Sequence, residues 1–187
     1  MNLQQPDWEK MCEDYWMWFY SQPRTAHPAL DDKLISAGQT NPDLFFIAGP
    51  IDRTDNERTL TIQAQGKRIF MPILFCTFVD SELPTGTDLV KAANKDIDGT
   101  RSIKVDTSDG IIIQDVRRVR VPEPFEVEVA DPPFFKNTTP GKQMASSDGY
   151  WLLTKPLDAG HHAISANGET KEDNQFKAGV TYNLEVV

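Results

Sequence analysis

Apolar residues recur at Trp8, Met11, Cys12, Tyr15, Trp16 and Phe19, the spacing of one helix face, and predict a helix over 7–20. Asp7 suits the N-cap, acidic residues occupy the first turn, and Pro23 lies just past the end. Met17, Trp18 and Tyr20 fall off that face, so the last turn is apolar nearly all round. Such an end must be covered from more than one side, or else it forms part of a binding surface.

From 24 to 43 the period is broken by Pro28, Asp31, Asp32, Gly38, Asn41 and Pro42. Strand patterns follow. Leu44 to Ala48 is short and apolar, and Arg58 to Ala64 alternates with Leu60, Ile62 and Ala64 on one face. Gln65-Gly66 reads as a tight turn into a return strand, Arg68 to Phe75, which is apolar on both faces. That run predicts burial from two sides, by a sheet on one face and by the 7–20 helix on the other. Pro72 removes a ladder donor and predicts a bulge or an edge position.

Residues 87–98 have helical spacing through Leu89, Val90, Ala93 and Ile97, with Thr87 or Asp88 at the cap. Ile103 to Val105 and Ile111 to Ile113 flank Asp106-Thr107-Ser108-Asp109-Gly110, which reads as a hairpin loop. Val119 to Val121 and Phe125 to Val129 flank Pro122-Glu123-Pro124. A hairpin about Glu123 would set Arg120 opposite Glu126 and Arg118 opposite Glu128, with Val121 and Val119 facing Phe125 and Val127. The two prolines make a corner between sheets the rival reading. After a loop at 131–141 come strands at Tyr150 to Thr154, His161 to Ala166 and Val180 to Val186. About nine or ten short strands predict one mainly β domain over 1–187: a two-sheet antiparallel β-sandwich, jelly-roll or Ig-like. The N-terminal helix packs on one sheet and the second helix lies in a crossover.

The charge balance narrows the partners. The 187 residues hold 19 Lys+Arg against 28 Asp+Glu, a net −9 at pH 7, and 39% hydrophobic residues. Such an excess repels phosphate backbones and anionic lipid, so neither nucleic acid nor a membrane is an expected partner. Met1 to Asp7 has no basic or apolar leader pattern. A cytoplasmic setting is expected, or a secreted one if a leader has been removed. Cys12 and Cys76 lie in apolar segments without metal-ligand spacing and read as buried thiols, with a disulfide as the alternative.

Motifs for nucleophile elbows, zinc proteases, phosphate loops and dinucleotide folds are missing. His161 and His162 are adjacent on a strand and so point to opposite faces, leaving at most one for a given site. Asp96 to Thr100 and Asp106 to Gly110 cluster oxygens, but neither has a calcium-loop pattern and both read as turns. No metal or cofactor is expected. Arg117, Arg118 and Arg120 form a basic cluster that Glu126 and Glu128, opposite two of them, would neutralise. The aromatics, ten Phe, four Tyr and four Trp, offer the most distinctive contact chemistry. Phe134 and Phe135 in the proline-bracketed loop, Tyr150 and Trp151, and His161 are the candidate ligand-binding residues, a small ligand or carbohydrate the candidate occupant. The bland alternative has Phe134 and Phe135 folding back to plug the end of the sandwich.

Five segments together resemble a widespread group of uncharacterised bacterial and archaeal proteins. They are Trp16 to Pro28, Phe45 to Gly49, Arg58 to Lys67, Asp148-Gly149-Tyr150-Trp151, and Pro156 to His161. The resemblance spans most of the chain and implies no known activity. Such proteins often begin with an export leader and carry more cysteines; this sequence shows neither, so the resemblance does not carry their extracellular setting over. Three functions remain in view: a non-catalytic binding or interaction module, a carboxylate- or metal-dependent hydrolase, and an oligomeric structural protein. In the last, exposed aromatics such as Trp18 would close a homodimer.

Overall fold

A computed structural model describes residues 6–49, 57–107, 111, 113–170 and 177–187. The first helix, α1 (Trp8–Tyr20), starts where Asp7 accepts a hydrogen bond from the Lys10 amide. The strands are β1 (Leu44–Phe46), β2 (Glu57–Ile62) and β3 (Arg68–Val79), followed by helix α2 (Leu89–Ile97). Then come β4 (Thr100–Thr107), β5 (Ile113–Arg120), β6 (Phe125–Val129), β7 (Gly141–Thr154), β8 (Gly160–Thr170) and β9 (Lys177–Val186).

Two sheets pack face to face, as the alternation predicted. A central sheet runs β1-β3-β7-β5, with β6 also on β7, and an outer sheet runs β2-β9-β8-β4. Both sheets are mixed: β1 is parallel to β3 and β2 is parallel to β9, while the other pairs are antiparallel. The central sheet is buried on both faces. One face, with Phe70, Val119, Val127 and Trp151, packs under α1. The other, with Ile69, Met71, Ile73 and Leu152, meets Leu60, Ile164, Tyr182 and Leu184 of the outer sheet. The doubly apolar β3 is therefore explained, with α1 as the second cover. Helix α2 packs over β3 and β7, capped by Asp88.

Pro72 sits where the β3–β7 register shifts, between Pro72 and Leu74. Beside this bulge Gly149 comes so close to β3 that a Cβ there would lie 2.8 Å from the Leu74 carbonyl oxygen. Only glycine permits that approach.

Three expected pairings are corrected. Gln65-Gly66 does not fold β2 back onto β3; the turn, with Gly66 at φ 75°, carries the chain from the outer to the central sheet. There it is held by Gly66 N–H donating to Leu157 O at 2.8 Å and Leu157 N–H to Lys67 O at 3.0 Å. Likewise β4 and β5 lie in different sheets and form no hairpin. Finally, β5 and β6 both pair with β7, end to end along one edge, bridged by Val121 N–H to Ser147 O. Pro122 and Pro124 interrupt a single edge strand there, so no hairpin forms about Glu123.

Candidate functional site

The aromatic residues expected to bind ligand do not share a surface. Phe134 is 2% exposed, against Phe19 and His27 with ring centroids 5.0 and 4.3 Å away. The Arg24 guanidinium stands over it, 5.3 Å from the ring centroid. Phe135 is half-buried beside Phe19 and Tyr20. The loop thus folds back over Phe19 and Tyr20 at the C-terminal end of α1; Trp18 is buried elsewhere, against Phe46 with its indole donating to Ala37 O at 2.8 Å, and Met17 stays exposed. Trp151 is wholly buried under α1, while Tyr150, one step along β7, points to the inter-sheet core. His161 alone of the five is exposed, on the outer sheet.

The charged clusters have firm local partners. Asp148 has a fully buried side chain; the Arg118 Nε donates to its Oδ1 at 2.9 Å, and Arg120 Nε reaches its Oδ2 at 3.3 Å. Both arginines also donate to Asp98 at the end of α2, at 2.7 and 2.8 Å. Those bonds, chiefly Arg118's, hold the Asp98 carboxyl below its ordinary range. The expected Arg120–Glu126 and Arg118–Glu128 pairs are therefore absent. Glu126 instead meets Lys142, its diagonal neighbour on β7, at 2.9 Å. The network fastens α2 to the central sheet.

Asp98 is thus an ion-pair partner, and Asp96 accepts from the Cys76 thiol at 3.7 Å. The second oxygen-rich turn, 106–110, lies partly outside the described residues. No group of three His, Cys, Asp or Glu positioned to hold a metal ion occurs among the described residues. Cys12 and Cys76 are both free thiols, the first buried and the second half-buried. Burial, aided by nearby Asp96, pushes the Cys76 thiol up to about 12, so it is not a thiolate nucleophile at neutral pH.

His27 is 1% exposed. Its Nδ1 accepts from the Ala29 amide at 3.0 Å and its Nε2 donates to Phe19 O at 3.1 Å, which requires the neutral ring. Burial drives its pKa down to about 4. The unfolded chain takes up this proton near pH 6.5 and the folded chain only near 4, so stability falls as pH drops through that window. Relative to a His27→Asn variant, the wild type is expected to lose about 2 kcal/mol between neutral pH and about pH 4.5. Urea titrations at the two pH values check this; an unchanged difference between the proteins would refute it.

The outer face of the β2-β9-β8-β4 sheet is the remaining broad surface. The central sheet carries α1 on its outer face, whereas no helix covers this one among the described residues. Thr59 and Thr61 lie beside Asn183 and Glu185, which oppose Ala163 and His161. Farther along, Thr181 opposes Ser165, and Gly179 opposes Asn167. Thr61 Oγ1 donates to Glu185 at 3.1 Å, Asn183 Nδ2 to Glu57 at 2.7 Å, and the Ser165 and Thr181 hydroxyls are 3.1 Å apart. Two shallow depressions lie along β8. One, of about 320 Å³, is lined by Thr59, His161, Ala163, Asn183 and Glu185. The other, of about 520 Å³, is lined by Lys104, Asn167, Glu169, Lys177 and Gly179. Of the five candidate ligand-binding residues read from the sequence, only His161 lies here. The rest of the face could have been found only by knowing which alternating strands share a sheet.

No helix among the described residues is long and apolar enough to cross a membrane. No family model matches the chain, and no curated protein matches it. Among solved structures, the cysteine protease inhibitor EhICP2 of Entamoeba histolytica aligns with 78% of this chain and 96% of its own, at 13% identity and a TM-score of 0.36. The solution structure of Amebosin aligns with 78% of this chain and 100% of its own, at 8% identity and a TM-score of 0.23. Likenesses this faint carry no argument about fold or function.

Proposed function

We propose that this chain is a non-catalytic recognition module that binds a neutral polysaccharide on the outer face of the β2-β9-β8-β4 sheet. The carrying observation is the make-up of that face: an uncovered array of short hydroxyl and amide side chains, Thr59, Thr61, Ser165, Asn167, Thr181 and Asn183, around two shallow depressions. Short polar side chains give up little conformational freedom when ordered, and hydroxyl groups of a sugar chain are matched by such donors and acceptors. Glu57, Glu185, Asp106 and Glu169 outnumber Lys104 and Lys177 here, which disfavours an anionic polymer. The depressions lie some six residues apart on β8, a span of about 20 Å at the strand rise, which suits a linear ligand over a single sugar. The alternative hydrolase reading draws no support from Asp148, whose carboxylate is buried against two arginines.

Native affinity electrophoresis in gels containing soluble xylan, mixed-linkage glucan or galactomannan tests the reading. At least one polymer is expected to retard the protein, and His161→Ala with Asn183→Ala to raise the dissociation constant at least about tenfold, a loss of about 1.4 kcal/mol. No retardation by any of the three, or retardation indifferent to the double substitution, would overturn it.

A further inference from the structure

The edges of the two sheets are unequally protected. On the central sheet β1 is only three residues long, and the β5–β6 edge is broken by Pro122 and Pro124 and carries Arg117, Arg118 and Arg120. Short strands, prolines and charges are the usual guards against edge pairing. β4 lacks most of them. It runs for eight residues without proline and, among the described residues, pairs only with β8. Its sole irregularity lies at Thr100–Ser102, leaving Ser102 to Thr107 in regular register. Ile103 and Val105 face the inter-sheet core yet stay half-buried at this rim. Lys104 and Asp106 point to the outer face opposite Asn167 and Ser165, and neither makes an ion pair among the described residues.

We propose that two copies of this chain join through β4, antiparallel about a two-fold axis at Val105. The side chains select that register. It sets Lys104 opposite the second copy's Asp106, and Asp106 opposite its Lys104, at the Cβ separation of roughly 5 Å typical of directly opposed residues. Val105 meets its own counterpart, and Ile103 meets Thr107, which extends the inter-sheet core across the rim. A two-residue slip one way opposes Lys104 to Lys104; the other way opposes Asp106 to Asp106. A one-residue slip turns one copy's outer face against the other's inner face. The charges thus accept one register and reject its neighbours. Two outer sheets become one continuous sheet, as closed two-fold assembly through an isologous contact requires.

The test is the solution mass of the full chain, read by sedimentation or light scattering at micromolar concentration. It involves no ligand, so it stands or falls apart from the polysaccharide reading. The wild type is expected at twice 21.1 kDa. Lys104→Asp and Asp106→Lys each place like charges opposite one another twice, and each is expected to be monomeric with unchanged circular dichroism. Mixing the two variants in equal amounts restores opposite charges and is expected to restore the dimer, as is the combined variant within one chain. A monomeric wild type, single variants that remain dimeric, or a mixture that stays monomeric would each overturn the proposal.

Discussion

Replacing Trp151 with alanine is expected to destabilise the fold by about 4 kcal/mol, within the range for a buried tryptophan. The indole is wholly inaccessible and lies parallel to Phe70, with ring centroids 4.9 Å apart and planes 6° apart. Tyr15 of α1 meets it edge-on at 4.9 Å and Trp16 at 6.0 Å. Truncation empties the middle of the layer between α1 and the central sheet, where rigid rings on every side leave little room to collapse. Trp151→Phe provides the contrast. The indole Nε1 has no hydrogen-bond partner among the described residues, so phenylalanine keeps a ring and removes an unpaired donor. Its cost is expected to be about 1–2 kcal/mol. Urea denaturation measures both; a loss below about 1 kcal/mol for the alanine variant would contradict this packing.

The second large effect concerns Arg58, whose side chain is fully buried at 0% exposure. Its Nε and Nη2 hold Asp32 at 2.9 and 2.7 Å, Nη1 donates to Ala48 O at 2.7 Å and Nη2 to Pro28 O at 2.9 Å. The Tyr182 ring lies 5.6 Å away, and its hydroxyl donates to the same Ala48 oxygen at 3.2 Å. One side chain therefore ties the loop after α1 to the end of the β1 segment and to β9. Arg58→Leu is expected to cost about 3 kcal/mol, because the Pro28 carbonyl loses this donor and Asp32 loses a cation. Asp32 is 30% exposed and can recover hydration, which keeps the loss from being larger. Arg58→Lys retains the charge, but a single ammonium lacks the planar fork that reaches these three acceptors together. It should fall between the two in urea midpoint, and a lysine variant as stable as wild type would show that charge alone suffices.

These residues also show which features were legible in the sequence. The period of α1, the cap of α2, the bulge at Pro72 and the two-sided burial of β3 each follow from a local pattern, and each is present. Pairing was harder. Alternation says which residues of a strand are buried, but in two packed sheets it reads the same whether the next strand pairs alongside or crosses over. Gln65-Gly66 fits either course. The turn that forms is tied by Leu157, a residue distant in sequence. The arginines of β5 show the same effect: Glu126 and Glu128 were near in sequence, whereas Asp148 lay on β7. The aromatic side chains were recognisable as distinctive, but α1 and the 131–140 loop bury one another's rings. Of the segments singled out in the sequence, three serve this scaffold, through His27, through Arg58 and Gly66, and through Asp148, Gly149 and Trp151. The outer face stayed hidden because Thr, Ser and Asn on alternate positions look like any solvated strand.

The parallel pairing of β2 with β9 bears on how the molecule is made. Glu57 to Ile62 lie against Thr181 to Val186. As the chain leaves the ribosome, β2 emerges early and has no neighbour in its sheet until β9 follows. Throughout that interval Leu60 and Ile62, both buried in the finished fold, lack the neighbours Leu184 and Val186 that β9 sets beside them. β9 then completes two ladders at once, since β8 also waits for it. Such long-range closure makes folding slow, since the outer sheet cannot close before β9 has been made. A chain stalled before β9 would leave β2 unpaired in its sheet and one side of β8 open.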